Sequence, residues 1–155
     1  MGIVTSDKKV KKGQNCPKMA IFPNALALYP VGQVLGDAGI SVGAQNTYWL
    51  EKGGFTGEIS AAMFKSAGCE YVLVGHSERR HLLGETNHEV RQKVEASLAV
   101  GLTPVICVGE TEKERQENKT EEAIEIQVRA AFHNIVWKYT AFSKRSQRHR
   151  RSYGS

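Results

Sequence analysis

Three glycine-led apolar stretches, each about one strand and one helix from the next, restrict this chain more than any other feature of its sequence. They are Gly39-Ile40-Ser41-Val42-Gly43-Ala44-Gln45, then Gly68-Cys69-Glu70-Tyr71-Val72-Leu73-Val74-Gly75-His76, then Gly101-Leu102-Thr103-Pro104-Val105-Ile106-Cys107-Val108-Gly109-Glu110. Their first glycines lie 29 and then 33 residues apart, which matches one βα unit. Helical patterns fill the gaps. Ile59, Met63 and Ala67 recur at i, i+4, i+8, as do Val90, Val94 and Leu98, the spacing of a buried helix stripe. Thr86 and Glu89 form a capping-box pair at the start of the second of these helices. Gly68 and Gly101 fall where helices stop. Another helix is predicted over roughly Thr120 to Ala131, with Ile124, Val128 and Ala131 on one face; Ala25 to Leu35 is a helix following a strand at Met19–Phe22.

Apolar strands alternating with amphipathic helices predict an α/β fold with a parallel sheet covered by helices. The expected parallel strands are Met19–Phe22, Ile40–Ala44, Tyr71–Gly75 and Pro104–Val108. Two closures satisfy that pattern, an open doubly wound sheet and a barrel. Both bind ligands at the carboxyl ends of their strands, and Gln45, His76 and Glu110 stand just beyond such ends. No G-x-G-x-x-G or G-x-x-x-x-G-K-[ST] loop follows a strand, which weakens a nucleotide-binding reading. At 155 residues the chain is short for a whole eight-unit barrel of about 250 residues.

Composition narrows the function further. The net charge of +5 comes from the C-terminal stretch, where Lys138, Lys144, Arg145, Arg148, Arg150 and Arg151 occur without an acid; the rest carries 15 basic and 16 acidic residues. A near-neutral body argues against nucleic acid as a partner, although a basic tail with Tyr139, Phe142 and Tyr153 is the natural place for such contacts. No apolar run approaches the roughly 18 residues of a membrane span. Cys16, Cys69 and Cys107 are odd in number and widely spaced, so they suggest neither a disulfide framework nor a zinc ribbon. A reducing, cytoplasmic setting follows as the expectation. His76-Ser77-Glu78 fits the H-x-E half of a zinc deaminase signature, but the P-C-x-x-C half is missing. No metal site is expected. The Asn118-Lys119-Thr120 sequon is read as an accident, and His81, His88, His133 and His149 as surface or supporting residues.

The stretch Val74-Gly75-His76-Ser77-Glu78-Arg79-Arg80 resembles the fourth-strand signature of triosephosphate isomerases. Flanking segments agree in order and spacing: Gly43-Ala44-Gln45-Asn46, Gly53-Gly54-Phe55-Thr56-Gly57-Glu58 and Thr103-Pro104-Val105-Ile106-Cys107-Val108-Gly109-Glu110. The likeness runs from about Met19 to Ala131. It implies a partial (β/α)8 TIM barrel of roughly units two to five, with domains at 1–18 (a divergent N-terminal segment), 19–137 (the partial barrel) and 138–155 (a basic, disordered tail). The reaction it implies interconverts dihydroxyacetone phosphate and glyceraldehyde 3-phosphate through an enediolate, in glycolysis and gluconeogenesis, without cofactor or metal.

By that resemblance His76 is the electrophilic catalyst that polarises the substrate carbonyl. The family is itself the stock example of a catalytic histidine kept neutral at a helix N-terminus. Glu78, which matches a glutamate beside the site, is expected to join it as a catalytic residue, with Ser77, Arg80, Cys107 and Glu110 in support. Gln45, Asn46 and Thr56 belong to a loop, Gln45–Glu58, that enters a partner subunit of a homodimer. The family's substrate-binding lysine belongs to a first strand for which Met1 to Lys18 are too few, and its catalytic glutamate to an A-Y-E-P-V-W-like segment. Asn134-Ile135-Val136-Trp137-Lys138-Tyr139 begins like that strand and then departs, and no glutamate follows Glu125. The expectation is a family isomerase whose 155 residues are inactive by themselves. The second reading is a catalytically dead splice or truncation product that binds full-length subunits.

Overall fold

A computed structural model describes residues 18–133 and residue 135. Four strands appear in it: β1 (Ala20–Ile21), β2 (Ser41–Ala44), β3 (Tyr71–Val74) and β4 (Thr103–Ile106). All are parallel, in the spatial order β1-β2-β3-β4. Six helices accompany them: α1 (Leu28–Leu35, continued by a 3-10 turn at Gly36–Ala38), α2 (Ala61–Ser66), α3 (Ser77–Leu82), α4 (Asn87–Ala99), α5 (Glu112–Gln116) and α6 (Thr120–Phe132).

The order decides between the two closures. A doubly wound sheet reverses its strand order at a switch point. Here each strand lies beside its sequence neighbour without reversal, so the sheet is an arc of a barrel. The register pairs Tyr71 with Thr103, Val72 with Pro104, Leu73 with Val105 and Val74 with Ile106. Side chains alternate across a sheet, and the two faces differ sharply. Val42, Ala44, Val72 and Val74 are buried in one core with Leu28 of α1, Phe64 of α2, and Val90 and Val94 of α4. On the other face Thr103 and Val105 are exposed and Tyr71 and Leu73 half-buried. A one-residue slip of β3 would bring Val72 and Val74 out of this core, and each valine contributes about 1.5–3 kcal/mol by its burial.

Local chemistry sets the boundaries. Gly68 and Gly101 have φ of 89° and 74°, the left-handed geometry that ends a helix and releases the chain into the next strand. This explains why the repeat is glycine-led. The Thr86 hydroxyl accepts from Glu89 N at 3.2 Å while Thr86 N donates to the Glu89 carboxylate at 2.7 Å, so the expected capping box is formed. Thr111 and Glu114 make a second one at α5.

Several expected boundaries and faces shift. β3 and β4 stop at Val74 and Ile106 rather than Gly75 and Val108, and β1 is reduced to two residues. α1 starts at Leu28 rather than Ala25 because Asn24 closes a turn, its carbonyl and side-chain oxygens both accepting from Ala27 N. In α2 the buried side chains are Ala61 and Phe64, with Met63 left 55% exposed. Ser60 caps this helix through Met63 N, which begins it later than the Ile59 stripe assumes. In α6 the face turned inward carries Ala123 and Ala131, and Val128 is exposed. Ile135 packs against the core outside any strand. The expectations for the divergent segment at 1–18, apart from Lys18, and for the tail at 138–155 fall outside the described residues.

Candidate active site

β3 delivers His76 to the carboxyl edge of the sheet through a sharp turn. Gly75 has φ of 73°, and a Cβ there would sit 2.7 Å from the Arg80 guanidinium and 3.1 Å from the Cys107 carbonyl oxygen. Only glycine combines that backbone angle with that closeness. His76 then caps α3, its Nδ1 accepting from Glu78 N at 3.4 Å. An accepting Nδ1 assigns the proton to Nε2. In that tautomer the ring presents Nε2–H from a half-buried position. Glu78 places a carboxylate oxygen 3.6 Å from the same Nδ1, but its side chain is 78% exposed.

Arg80 ties the site together. Its Nε donates to Gly75 O at 2.7 Å, Nη1 to the Asn87 side-chain oxygen at 2.7 Å, and Nη2 to Cys107 O at 3.4 Å. One guanidinium thus joins the end of β3, the start of α4 and the end of β4. Its burial pulls its pKa below the ordinary guanidinium value, with the Glu85 carboxylate opposing. The Cys107 thiol is pushed up by burial, so it stays protonated and serves through packing and its carbonyl. Glu110 accepts from Arg115 Nε at 2.9 Å and lies 2.8 Å from Arg115 Nη2. Its own backbone hydrogen bond, and then Arg115, hold its carboxyl below the usual range.

Two hollows meet at His76. One, of about 430 Å³, is lined by Phe22, Gln45, Asn46, Leu73, His76 and Glu78, among others. The other, of about 230 Å³, includes His76, Ser77, Arg80, Cys107 and Glu110 in its lining. Of the nine residues that the resemblance assigns to the site and its loop, only Thr56 lines neither hollow; it is exposed in the loop between β2 and α2. That loop is held by Tyr48 N donating to Ile59 O at 2.9 Å and by the Tyr48 ring packing at a tilt against Phe55, 4.7 Å between ring centroids. Gln45 Nε2 donates to Phe22 O at 3.0 Å, anchoring the near end of the loop to the residue that follows β1. His81, His88 and His133 are all exposed. Among the described residues, no three His, Cys, Asp or Glu side chains are grouped to hold a metal ion.

Sequence reasoning missed one cluster. Lys93, only 3% exposed, donates to the Asn46 side-chain oxygen at 2.9 Å and lies 3.2 Å from Glu85 Oε2. Arg79 Nε donates to the same Glu85 oxygen. The other, Glu85 Oε1, is buried without a hydrogen-bond partner. Burial pulls the Lys93 ammonium down, and the Glu85 carboxylate opposes that shift. A buried charge survives only with such a partner. The signal was present in the sequence: Lys93 lies three residues after Val90, on the core stripe of α4.

Comparison with known proteins agrees with this geometry. A family model described as triosephosphate isomerase matches residues 3–142, reaching further at both ends than the motifs do. The chain is 42% identical over 118 residues to the triosephosphate isomerase of Aquifex aeolicus, covering 76% of this chain and 48% of that protein. It is 45% identical over 129 residues to that of Endomicrobium trichonymphae, covering 83% and 52%. The crystal structure of triosephosphate isomerase from Bartonella henselae superposes with a TM-score of 0.73 at 38% identity, over 77% of this chain and 50% of that one. The chain spans about half the length of the curated relatives it matches. With its parallel arc of βα units and a histidine-capped helix after the third strand, the chain belongs to the triosephosphate isomerase family.

Proposed function

We propose that this chain contributes the electrophilic half of a site interconverting dihydroxyacetone phosphate and glyceraldehyde 3-phosphate, with His76 as the donor to the substrate oxygen. The observation that supports this most is the bond from Glu78 N to His76 Nδ1. It leaves Nε2–H as a fixed donor beside a hollow large enough for a three-carbon phosphate. As an enediolate forms, negative charge grows on the former carbonyl oxygen, and a preorganised donor stabilises it more than it stabilises the ketone. Proton transfer between adjacent carbons needs neither electrons nor a metal. Arg80 is a positioning residue, and Glu78 and Ser77 shape the mouth of the hollow. In this reading Gln45, Asn46 and Thr56 belong to a Gln45–Glu58 loop that contacts a second subunit in a cytoplasmic homodimer, acting in glycolysis and gluconeogenesis. Residues 19–137 form the catalytic unit, flanked by a divergent segment at 1–18 and a basic tail at 138–155.

The same geometry supports low turnover by the 155 residues alone. Beside His76, Glu78 is largely in solvent and Glu110 is held by Arg115. Neither is poised as the general base, a group that contributes about 10²–10⁴-fold. An isomerase assay on the purified chain is expected to show no rate above background. Completing the barrel with the remaining units of a full-length relative is expected to produce turnover. Equal inactivity of a well-folded completed barrel would overturn the reading.

A further inference from the structure

α6 carries a polar residue on its inward stripe. Gln127 lies one turn from Ala123 and one turn from Ala131, both buried, so that stripe runs alanine, glutamine, alanine. A half-buried amide needs partners, and its two small neighbours leave it room to reach them. Gln127 Oε1 accepts from Gly109 N at 3.0 Å, and Nε2 donates to Gly109 O at 2.8 Å. One side chain thus pairs both backbone groups of one residue, as an adjacent antiparallel strand would. Turning the amide over would set donor against donor and acceptor against acceptor, so its orientation is fixed. The neighbouring Glu110–Arg115 pair restrains the same segment less, because the Arg115 side chain is 67% exposed.

Gly109 belongs to the segment that leaves the sheet after β4, and it shares the lining of the hollow of about 230 Å³ with His76, Ser77 and Arg80. Two residues earlier, Cys107 N donates to Val74 O at 2.9 Å. The Cys107 carbonyl oxygen then meets the turn that carries His76 in two ways. It accepts from Arg80 Nη2 at 3.4 Å, and it lies 3.1 Å from where a Cβ on Gly75 would be. Arg80 Nε in turn donates to Gly75 O. Cys107 is therefore tied to β3 through its N–H, while the direction of its carbonyl depends on the course of the chain through Val108 to Gly109. We propose that Gln127 is a positioning residue for His76: by clamping Gly109 it holds the Cys107 carbonyl against Gly75 and Arg80, and so fixes the turn in which His76 accepts the Glu78 N–H. The role rests on His76 being the donor to substrate, and it brings α6 into the site. Gln127 itself touches no substrate. Its effect travels through a short run of contiguous contacts, the kind of network that carries coupling between groups.

Nitrogen NMR of the His76 ring in the full chain tests this, at a pH above the ring's titration, where the ring shifts report the populations of the Nε2–H and Nδ1–H forms. The native chain is expected to favour Nε2–H. Gln127→Met keeps the reach of the side chain and removes both hydrogen bonds. It is expected to lower the ratio of Nε2–H to Nδ1–H at least about twofold, the low end of coupling through a packed network. The Glu78 amide is expected to exchange faster in the same variant. Ala123→Gly is the contrast, since it weakens α6 without touching Gly109, and it is expected to leave the ratio as it is. An unchanged ratio in Gln127→Met, or an equal drop in Ala123→Gly, would overturn the proposal while leaving His76 as the donor. A native ring that favours Nδ1–H would overturn both. Should Gln127→Met fail to fold, Gln127→Glu decides, because its carboxylate accepts from Gly109 N but cannot donate to Gly109 O. The same drop is expected there under the same conditions, and an unchanged ratio would overturn the proposal.

Discussion

At Gly75 a single hydrogen atom decides whether the site can form. The residue sits at φ 73° with Arg80 and Cys107 packed where a Cβ would go. Gly75→Ala therefore strains the backbone and dislodges the guanidinium that joins three elements. The expected loss is about 1–3 kcal/mol, measured as a lower urea midpoint with unchanged slope. Glu85→Gln is expected to cost more, about 3–5 kcal/mol, because it leaves Arg79 and Lys93 facing each other in a buried pocket; a change under 1 kcal/mol in the same titration would contradict the buried pairing. The two sites differ in how far the sequence reveals them. His76, Ser77, Glu78 and Arg80 are legible because the turn that orients them is local, and Glu78 N meets His76 Nδ1 two residues away. The contact between Lys93 and Asn46 spans 47 residues, and only the fold brings those partners together. What the sequence offers there is an oddity, a lysine on an apolar stripe.

At the scale of elements, caps were more legible than faces. The Thr86–Glu89 box depends on two residues three apart, and the structure forms it. Thr86→Ala is expected to cost about 1 kcal/mol. The Thr86 backbone N–H, and then its hydroxyl, hold the Glu89 carboxyl below its ordinary range. A carboxyl depressed in the folded state stabilises above its unfolded pKa and ceases to do so as pH falls through the folded value. The stability advantage of the native chain over Glu89→Gln is thus expected at neutral pH, shrinking on acidification below the usual glutamate range. Thermal melts across that range would show it, and an advantage that grew with acid would contradict the capping assignment. Faces were harder. Met63 and Phe64 are equally apolar neighbours, and which one is buried depends on where Ser60 starts the helix. The stripe through Val90 and Val94 held because α4 is long and packs against both β3 and α6.

For the molecule as a whole, the alternation of strands and helices specified a parallel sheet but left its closure open. The unreversed order of four strands resolves that, because it leaves one face under helices and the other toward a barrel interior. The carboxyl ends of β2, β3 and β4 then place Asn46, His76 and Cys107 around a common region. No described helix is long and apolar enough to cross a membrane. The central claim is that this region works through the His76 donor. In a barrel completed with the remaining units of a relative, kcat is the direct reading. His76→Gln is expected to lower it about 10²–10³-fold, the effect of removing one preorganised donor. His88→Gln, an exposed residue at the start of α4, is expected to leave it within about twofold. Equal effects of the two substitutions, or full activity after loss of His76, would contradict the account.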